Sequence, residues 1–193
     1  MSGGLRVFLA VPVDDEGVLA RLRPVLDELS AIRGIRSVSL RQLHFTLKFF
    51  ESLEESRIPA ARRAAERAAE NAEAFRLELK GVGVFPKTRP ARVVWAGCGA
   101  GGEELTSLTR RIEDSFTLEG FAAEPRPFSP HLTLARVKDL RTARDVSTFA
   151  LARASFEVGT LDVRELVLFR SVLGRDGAAH TPLGRFGLKS PSS

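Results

Sequence analysis

The sequence has very few residues that could build a covalent or metal-based framework. Cys98 is the only cysteine among 193 residues. Disulfide frameworks and thiolate zinc clusters need several cysteines, so one alone excludes both. The apolar residues around Cys98 predict a buried, inert thiol, because a nucleophilic thiol needs a partner such as histidine to lower its pKa.

Long apolar runs are also missing. The apolar segment near the N-terminus, from Leu5 to Val11, is too short to span a bilayer and does not have the pattern of a cleavable signal peptide. We therefore expect a cytoplasmic protein with no membrane partner. A hydrophobic content of 44% and a charged content of 27% are typical of one globular domain, or of two small lobes that share a core.

The balance of charge favours an anionic partner. The formal net charge is +5 and the sequence pI is about 10.1, and clustered lysine and arginine side chains attract phosphate groups. The signal is weak alone, because Arg62, Arg63 and Arg67 belong to an Ala/Glu/Arg-rich stretch that is typical of a solvated helix face.

Hydrophobic periodicity predicts an alternation of strands and helices. Strands are predicted at 6–11, 43–50, 75–79, 92–96, 131–137, 156–158, 164–171 and 185–188. Helices are predicted from Asp14 to Gly34, over about 57–71 and over about 103–118. Glycine and proline at Gly81, Gly83 and Pro86 predict a turn after the third strand.

The chain contains a weak internal repeat. Arg6-Val7-Phe8-Leu9-Ala10, a helix and a strand at His44 are matched by Arg92-Val93-Val94-Trp95-Ala96, a helix and a strand at His131. The segment from Arg6 to His44 is only one residue shorter than the segment from Arg92 to His131. The two histidines therefore fall at corresponding points of a duplicated chain.

Each of these histidines begins the same short motif. The strands read His44-Phe45-Thr46-Leu47 and His131-Leu132-Thr133-Leu134, and the chain has only three histidines. Alternate side chains of a strand point to opposite faces. His44, Thr46 and Lys48 are thus expected on one face of the first strand, and Leu43, Phe45, Leu47 and Phe49 on the other. In the second strand, His131 and Thr133 share a face.

Two imidazoles and two hydroxyls meet across a cleft if the halves pack about an approximate two-fold axis. This arrangement suits in-line attack on phosphorus, in which a base takes a proton from the nucleophile and an acid gives one to the leaving oxygen. An ordinary histidine pKa near 6.5 allows one ring to be neutral and the other charged near neutral pH. The hydroxyls of Thr46 and Thr133 can donate hydrogen bonds to the phosphate oxygens. A metal site formed by the two histidines is the alternative, but neither strand has an Asp, Glu or Cys on the histidine face to complete the ligand set, so we predict no metal.

The paired motifs resemble those of the 2H phosphoesterase superfamily. Within it, the chain resembles the bacterial and archaeal RNA 2′,3′-cyclic phosphodiesterases, also called 2′-5′ RNA ligases. The segments that carry the resemblance are the opening Arg6-Val7-Phe8-Leu9-Ala10-Val11, Leu43-His44-Phe45-Thr46-Leu47, Arg92-Val93-Val94-Trp95, Pro127-Phe128-Ser129-Pro130-His131-Leu132-Thr133-Leu134-Ala135-Arg136 and the closing Thr181-Pro182-Leu183.

The resemblance implies a fold and a reaction. The fold is a single bilobal α/β domain over 1–193, with two antiparallel sheets flanked by helices and the active cleft between them. The reaction is hydrolysis of a 2′,3′-cyclic phosphate at an RNA end to a 2′-phosphomonoester, with His44 as proton donor and His131 as proton acceptor. Thr46, Thr133 and Arg136 bind the phosphate. No cofactor and no protein partner are implied, so we expect a monomer. The resemblance also implies a ligation reaction without ATP, in which a 5′-hydroxyl replaces water as the nucleophile.

Three positions need separate treatment. Arg136 follows His131 by five residues, so regular alternation points it away from the cleft, and only a bulge or the end of the strand turns it inward. His180 stands where the family often has tyrosine, and we expect a loop or strand-edge residue rather than a third catalyst. Lys48 replaces a residue that is often small or apolar, and the sequence leaves open a phosphate contact or a solvated side chain.

Two other functions remain open from sequence alone. One is a non-catalytic module that binds RNA ends or nucleotides in the same cleft. The other is a related 2H activity on a different cyclic phosphate, such as one derived from ADP-ribose or a cyclic dinucleotide. The basic charge favours RNA.

Overall fold

The computed structural model describes residues 4–87, 90–174 and 177–191. Within these ranges the strands are β1 (Leu5–Pro12), β2 (Ile35–Ser37), β3 (His44–Leu53), β4 (Phe75–Phe85), β5 (Val93–Cys98), β6 (Leu132–Val137), β7 (Glu157–Val163), β8 (Glu165–Gly174) and β9 (Gly177–Gly187). The helices are α1 (Glu16–Ala31), α2 (Ile58–Glu70), α3 (Gly102–Leu118) and α4 (Ala143–Leu151). None of the helices in the described part of the chain is long and apolar enough to cross a membrane.

The strands form two antiparallel sheets. The first sheet has the order β3-β1-β8-β9 and the second the order β2-β6-β5-β4-β7. Helix α2 packs against β8 and β9, whereas α1 packs against β2 and β7 and α4 packs against β4. This arrangement confirms the expected α/β fold with two antiparallel sheets flanked by helices. Because α1 follows β1 in the chain but packs on the other sheet, the two halves share one continuous hydrophobic core.

Local sequence explains where the first helix begins and ends. The Asp15 carboxylate accepts a hydrogen bond from the Val18 backbone N–H at 2.9 Å, which caps α1 at its N-terminus. After α1 the chain turns at Gly34, which has a φ of +76°. A Cβ at Gly34 would lie 2.5 Å from the Cβ of Asp139, so this position requires glycine. The helix is therefore a little shorter at both ends than predicted.

The turn predicted around Gly81, Gly83 and Pro86 is correct at Pro86, where the chain bends after β4, and wrong at the two glycines. Strand β4 runs through both glycines to Phe85. A Cβ at Gly83 would lie 2.3 Å from Cζ2 of Trp95, so this glycine allows the indole of the neighbouring strand to approach the backbone. Glycine inside a strand often marks such a close approach or a bulge, and the register between β4 and β5 does shift beside Gly81, between Lys80 and Val82.

Three other elements differ from the sequence prediction. Strand β2 was missed, because it has only three residues. Helix α4 was missed, because it is short and its buried residues are few. Strand β9 is much longer than the segment predicted at 185–188, because its residues between Gly177 and Gly184 are small or polar and have no regular apolar alternation. This longer strand brings His180 into the first sheet.

Cys98 is half-buried rather than buried, at the end of β5. Burial raises the pKa of its thiol to about 12. A raised pKa keeps the thiol protonated at neutral pH, which is the state expected of an unreactive thiol.

Candidate active site

The two histidine motifs lie on equivalent strands of the two sheets. His44 is the first residue of β3, and His131 directly precedes β6. Ala10 of β1 is opposite Thr46, and Trp95 of β5 is opposite Thr133. Strands β3 and β6 are in contact, so the fold brings the two motifs together. The pairing also corrects the sequence repeat by one residue, because Ala10 corresponds to Trp95 rather than to Ala96.

Both motif strands contain the same irregularity. In β3, Thr46 is opposite Ala10 but Lys48 is opposite Leu9, so Leu47 is an extra residue. In β6, Thr133 is opposite Trp95 but Ala135 is opposite Val94, so Leu134 is extra. Each motif leucine is therefore a β-bulge, and the alternation of side chains is inverted beyond it.

The bulge in β3 overturns the predicted position of Lys48. Lys48 lies on the face opposite His44 and Thr46, and only 5% of it is exposed. Its Nζ donates to both carboxylate oxygens of Glu113 on α3, at 2.9 and 2.8 Å, and to the carbonyl oxygen of Ala122 at 3.2 Å. Lys48 is thus a buried ion-pair residue, and both roles left open by the sequence, a phosphate contact and a solvated side chain, are wrong.

The bulge in β6 turns Arg136 toward the histidine face. Arg136 is opposite Val93, two positions along β5 from Trp95 and hence on the same face as Trp95 and Thr133. Arg136 is exposed, and its guanidinium is close enough to His44 to help lower the pKa of that ring. The sequence pattern required a bulge, or the end of the strand, for Arg136 to face the cleft, and the structure contains that bulge.

A backbone hydrogen bond fixes the tautomer of each motif histidine. Nδ1 of His44 lies 2.7 Å from the carbonyl oxygen of Gln42, and Nδ1 of His131 lies 2.7 Å from the carbonyl oxygen of Ser129. A carbonyl oxygen only accepts, so Nδ1 carries the hydrogen in both rings. Nε2 is therefore left to accept a proton in the neutral ring or to donate one in the charged ring.

The surroundings of His44 favour its neutral form in the free protein. Burial lowers the pKa of His44 to about 4, although the hydrogen bond to Gln42 acts in the opposite direction. His180 and Arg136 lower the pKa further. The Phe8 ring stacks on the His44 ring with 4.6 Å between centroids, which accounts for part of the burial.

His180 lies in the site although the sequence pattern assigned it no role there. His180 lies on β9, which is an edge strand of the first sheet. This agrees with the expectation of a loop or strand-edge residue. Its ring meets the His44 ring edge-on at 5.5 Å and the Phe8 ring at 4.9 Å. Burial lowers the pKa of His180, and its Nδ1 is buried without a hydrogen-bond partner among the described residues.

Aromatic rings that the sequence reasoning missed surround both histidines. Phe85 meets His131 edge-on at 5.3 Å and lies 5.0 Å from Trp95. In the first half, the Phe8 ring stacks on His44. The sequence repeat aligns Phe8 with Val94 and Trp95 with Leu9, so it gave no signal for these rings.

The acidic and thiol groups of the described chain do not assemble around the histidines. In the described residues there is no group of three or more His, Cys, Asp or Glu side chains that could hold a metal ion. What the site does offer is two Nε2 atoms of fixed tautomer, two threonine hydroxyls and one guanidinium. These groups suit general acid and base chemistry on an anionic phosphate.

Comparison with known proteins gives consistent matches over nearly the whole chain. The model of the 2′-5′ RNA ligase superfamily matches residues 11–175. A protein of Aeropyrum pernix named RNA 2′,3′-cyclic phosphodiesterase is 35% identical over 178 residues, which are 92% of this chain and 97% of that protein. A protein of the same name from Methanothermobacter thermautotrophicus is 35% identical over 185 residues, which are 95% of this chain and 99% of that protein.

Solved structures share the fold. A crystal structure of a Thermus thermophilus protein superposes with a TM-score of 0.80 at 29% identity, covering 97% of this chain and 100% of that chain. The apo form of E. coli LigT superposes with a TM-score of 0.77 at 24% identity and covers 98% of this chain and 100% of that chain. The two-sheet architecture described above is therefore shared with both of these solved structures.

Proposed function

This chain belongs to the 2′-5′ RNA ligase superfamily, and from that premise we propose that it is an RNA 2′,3′-cyclic phosphodiesterase. It opens a cyclic phosphate at an RNA end to give a 2′-phosphomonoester. The observation that carries the proposal is the duplicated arrangement of His44 and His131, in which each Nδ1 is bonded to a backbone carbonyl and each Nε2 is left for proton transfer. The names of the curated relatives support the same reaction.

The reaction uses the two histidines on opposite sides of the phosphorus atom. Nε2 of His131 takes a proton from water while the water oxygen forms a bond to phosphorus. The bond from phosphorus to the 3′ oxygen breaks, and Nε2 of His44 gives its proton to that oxygen. The 2′ oxygen keeps the phosphate. A 5′-hydroxyl in place of water gives a 2′-5′ linkage by the same proton transfers, and no ATP is needed because the strained ring is already activated.

The charge on phosphate is met by three side chains of the cleft. The hydroxyls of Thr46 and Thr133 donate hydrogen bonds to the non-bridging oxygens, and Arg136 supplies a positive charge from the same face of β6. Neither the acid, the base nor the anion-binding groups of this scheme require a metal or cofactor. His44 and Thr46 approach the phosphate from β3, whereas His131, Thr133 and Arg136 approach it from β6 and the residue just before it, which suits a substrate held between the two sheets.

The role of His44 as acid requires a proton that the free protein does not hold at neutral pH. With a pKa of about 4, the ring is neutral at pH 7. A bound phosphate anion raises the pKa of a neighbouring imidazole because it stabilises the charged form. We therefore propose that substrate binding and protonation of His44 are coupled.

We propose that residues 1–193 form a single domain that acts as a monomer in the cytoplasm. Its partner is RNA with a 2′,3′-cyclic phosphate end. Sedimentation equilibrium of the purified chain tests the monomer. A dimer that persists at micromolar concentration contradicts that part of the proposal and leaves the reaction unaffected.

The deciding experiment is product analysis with an oligoribonucleotide that ends in a 2′,3′-cyclic phosphate. Phosphorus NMR should show a 2′-phosphomonoester, and a 3′-phosphate would refute the assigned leaving group. Binding without turnover would indicate a non-catalytic RNA-end module. Turnover of a different cyclic phosphate, such as a cyclic dinucleotide, with none of the RNA end would indicate a related 2H enzyme.

A second experiment separates the acid from the base. A substrate with sulfur in place of the 3′ oxygen has a leaving group that needs little protonation. It should restore turnover to His44→Ala but not to His131→Ala. Restoration of His131→Ala instead would exchange the two roles.

A further inference from the structure

The two halves of the site share the motif histidine, the motif threonine and the bulged leucine, and they differ just beyond the bulge. Thr46 and Leu47 have direct counterparts in Thr133 and Leu134. The position two residues past the bulge is Phe49 in β3 and Arg136 in β6. A phosphate presents similar oxygens to both halves, whereas the RNA attached to it lies on one side only. Phe49 is therefore an aromatic residue of the first half whose counterpart in the second half, Arg136, is a cation.

Phe49 is an exposed aromatic ring on the histidine face. It is opposite Phe8, which stacks on His44, and 40% of it is exposed. Along β3 it lies two paired positions beyond Thr46, at roughly 7 Å. This spacing corresponds to a step of one nucleotide along an RNA strand.

Arg6 lies beside Phe49 and has no acidic partner within the described residues. Its guanidinium carbon is 5.1 Å from the centroid of the Phe49 ring. Its Nε is buried and makes no hydrogen bond to any described residue, and the ion pairs found in the described ranges do not include it. The buried Nε is out of reach of a ligand, so a phosphodiester would be bound by the terminal nitrogens of this guanidinium, which suits an arginine that is stacked on an aromatic ring.

A cavity of about 500 Å³ opens next to Phe49 and contains neither motif histidine. It lies between β3 and the loop after α3, and its lining includes Phe49, Arg57 and Phe121. The glutamates Glu51, Glu54 and Glu124 also line it, so it suits the base of a nucleotide, which can donate hydrogen bonds to carboxylates, rather than a phosphate. A cavity of this size accommodates a nucleobase. The Arg57 guanidinium is already held against Phe121, 4.1 Å from the ring centroid, so the apolar surface nearest to the cleft is that of Phe49.

We propose that Phe49 and Arg6 form a subsite for the nucleotide that precedes the terminal one in the RNA substrate. The base of that nucleotide stacks on Phe49 at the mouth of the cavity, and the phosphate that links it to the terminal nucleotide is bound by Arg6. This assignment rests on the proposed function, since it extends the same cleft by one nucleotide. It makes the enzyme prefer an RNA end to a free cyclic mononucleotide.

The expected effect follows from the strength of stacking. Removal of an aromatic platform costs about 1 to 3 kcal/mol per base, which corresponds to roughly 5- to 150-fold in affinity. The loss should fall on the dinucleotide alone. The quantity to measure is therefore the ratio of kcat/KM for a dinucleotide ending in a 2′,3′-cyclic phosphate to kcat/KM for a 2′,3′-cyclic mononucleotide.

The test compares four variants with the wild type. Phe49→Ala and Arg6→Gln should each lower the ratio by about 5- to 100-fold, mainly through KM, and Phe49→Trp should keep it because an aromatic face is retained. Leu118→Ala, which shortens an exposed side chain on α3, is the control and should leave the ratio unchanged. Thermal unfolding of each variant shows that it is folded.

Three results would overturn the subsite. An unchanged ratio in Phe49→Ala means that the ring is merely solvated. An equal loss on both substrates means that Phe49 acts on folding or on the chemical step. A lower ratio in Phe49→Trp as well means that stacking is not the interaction. Turnover of neither substrate by the wild type overturns the proposed function instead, and the subsite with it.

Discussion

Phe49 and Arg136 occupy the same position in the two halves, each five residues after its motif histidine and just beyond an equivalent bulge. One is an exposed ring and the other an exposed guanidinium. Because the bulge turns both onto the histidine face, the duplicated scaffold carries one aromatic and one cationic group beside the two motif histidines.

The position of Arg136 leads to a prediction for both the rate of hydrolysis and the pKa of His44. Arg136→Gln should lower kcat/KM by about 10- to 100-fold, because hydrogen bonds to charged groups contribute about 1.5 to 3 kcal/mol. It should also raise the pKa of His44, since the guanidinium lowers it. NMR titration of the His44 ring measures the second effect. Arg144→Gln removes the same charge from α4 and should change neither quantity. An unchanged rate in Arg136→Gln would leave Arg136 without a phosphate-binding role.

The two-histidine mechanism predicts similar losses from either motif. His44→Ala and His131→Ala should each lower turnover by about 10² to 10⁴, the usual effect of losing a positioned acid or base. Steady-state kinetics measures the loss, and circular dichroism checks the fold. The mechanism would be wrong if either folded variant kept the turnover of the wild type.

Coupling between binding and protonation of His44 predicts proton uptake. At pH 7 the free ring is neutral because its pKa is about 4, so an acid role requires the complex to take up a proton. Calorimetric titration of His131→Ala, which is not expected to turn the substrate over, should give a binding enthalpy that depends on the ionisation enthalpy of the buffer. His44→Gln in the same background should abolish that dependence. A buffer-independent enthalpy for His131→Ala would contradict the assignment of His44 as acid.

The low pKa of His44 also predicts how stability depends on pH. The ring is protonated below about pH 6.5 in the unfolded chain but only below about pH 4 in the folded one. Between these values the unfolded state binds more protons, so the contribution of His44 to stability falls as the pH falls, by up to about 1.4 kcal/mol per pH unit. Urea unfolding at several pH values should show a shallower decline for His44→Gln than for the wild type. If the free energy of unfolding depended on pH in the same way for the wild type and His44→Gln, the burial of a neutral His44 ring would be contradicted.

The buried ion pair between Lys48 and Glu113 predicts an effect on stability without an effect on chemistry. Lys48→Met leaves the Glu113 carboxylate without its cation and should cost about 3 kcal/mol, the scale for breaking a buried pair. Turnover should stay within a few fold of the wild type, because Lys48 is on the face opposite His44. Arg164→Met breaks an exposed pair with Asp162 and should cost less than about 1 kcal/mol. Loss of turnover in a folded Lys48→Met variant would show that Lys48 contributes to the reaction.

Removal of metal ions with a chelator tests whether the side chains of the protein are sufficient for hydrolysis. Hydrolysis should continue in a strong chelator, since the proposed mechanism assigns acid, base and anion binding to the protein. The control is a zinc hydrolase assayed in the same buffer, which should lose activity. Loss of activity that one divalent metal restores would contradict the metal-independent mechanism.

Local sequence patterns were enough to predict the family and the fold class. His44 and His131 were found because the motif occurs twice at equivalent points of a repeat, and the resemblance drawn from these motifs is confirmed by the family match. Local patterns also determined most strands and three of the four helices of the described chain. These features depend on residue type and on short spacing, which are present in the chain before it folds.

Tertiary structure alone decided where the side chains beyond the motifs point. The bulges at Leu47 and Leu134 depend on pairing with a neighbouring strand, so regular alternation wrongly placed Lys48 and left Arg136 undetermined. His180 reached His44 only because β9 joins the first sheet, and the glycines of β4 wrongly predicted a turn because the indole that packs over Gly83 comes from another strand. Strand register and packing are contacts between distant segments, which no local pattern contains.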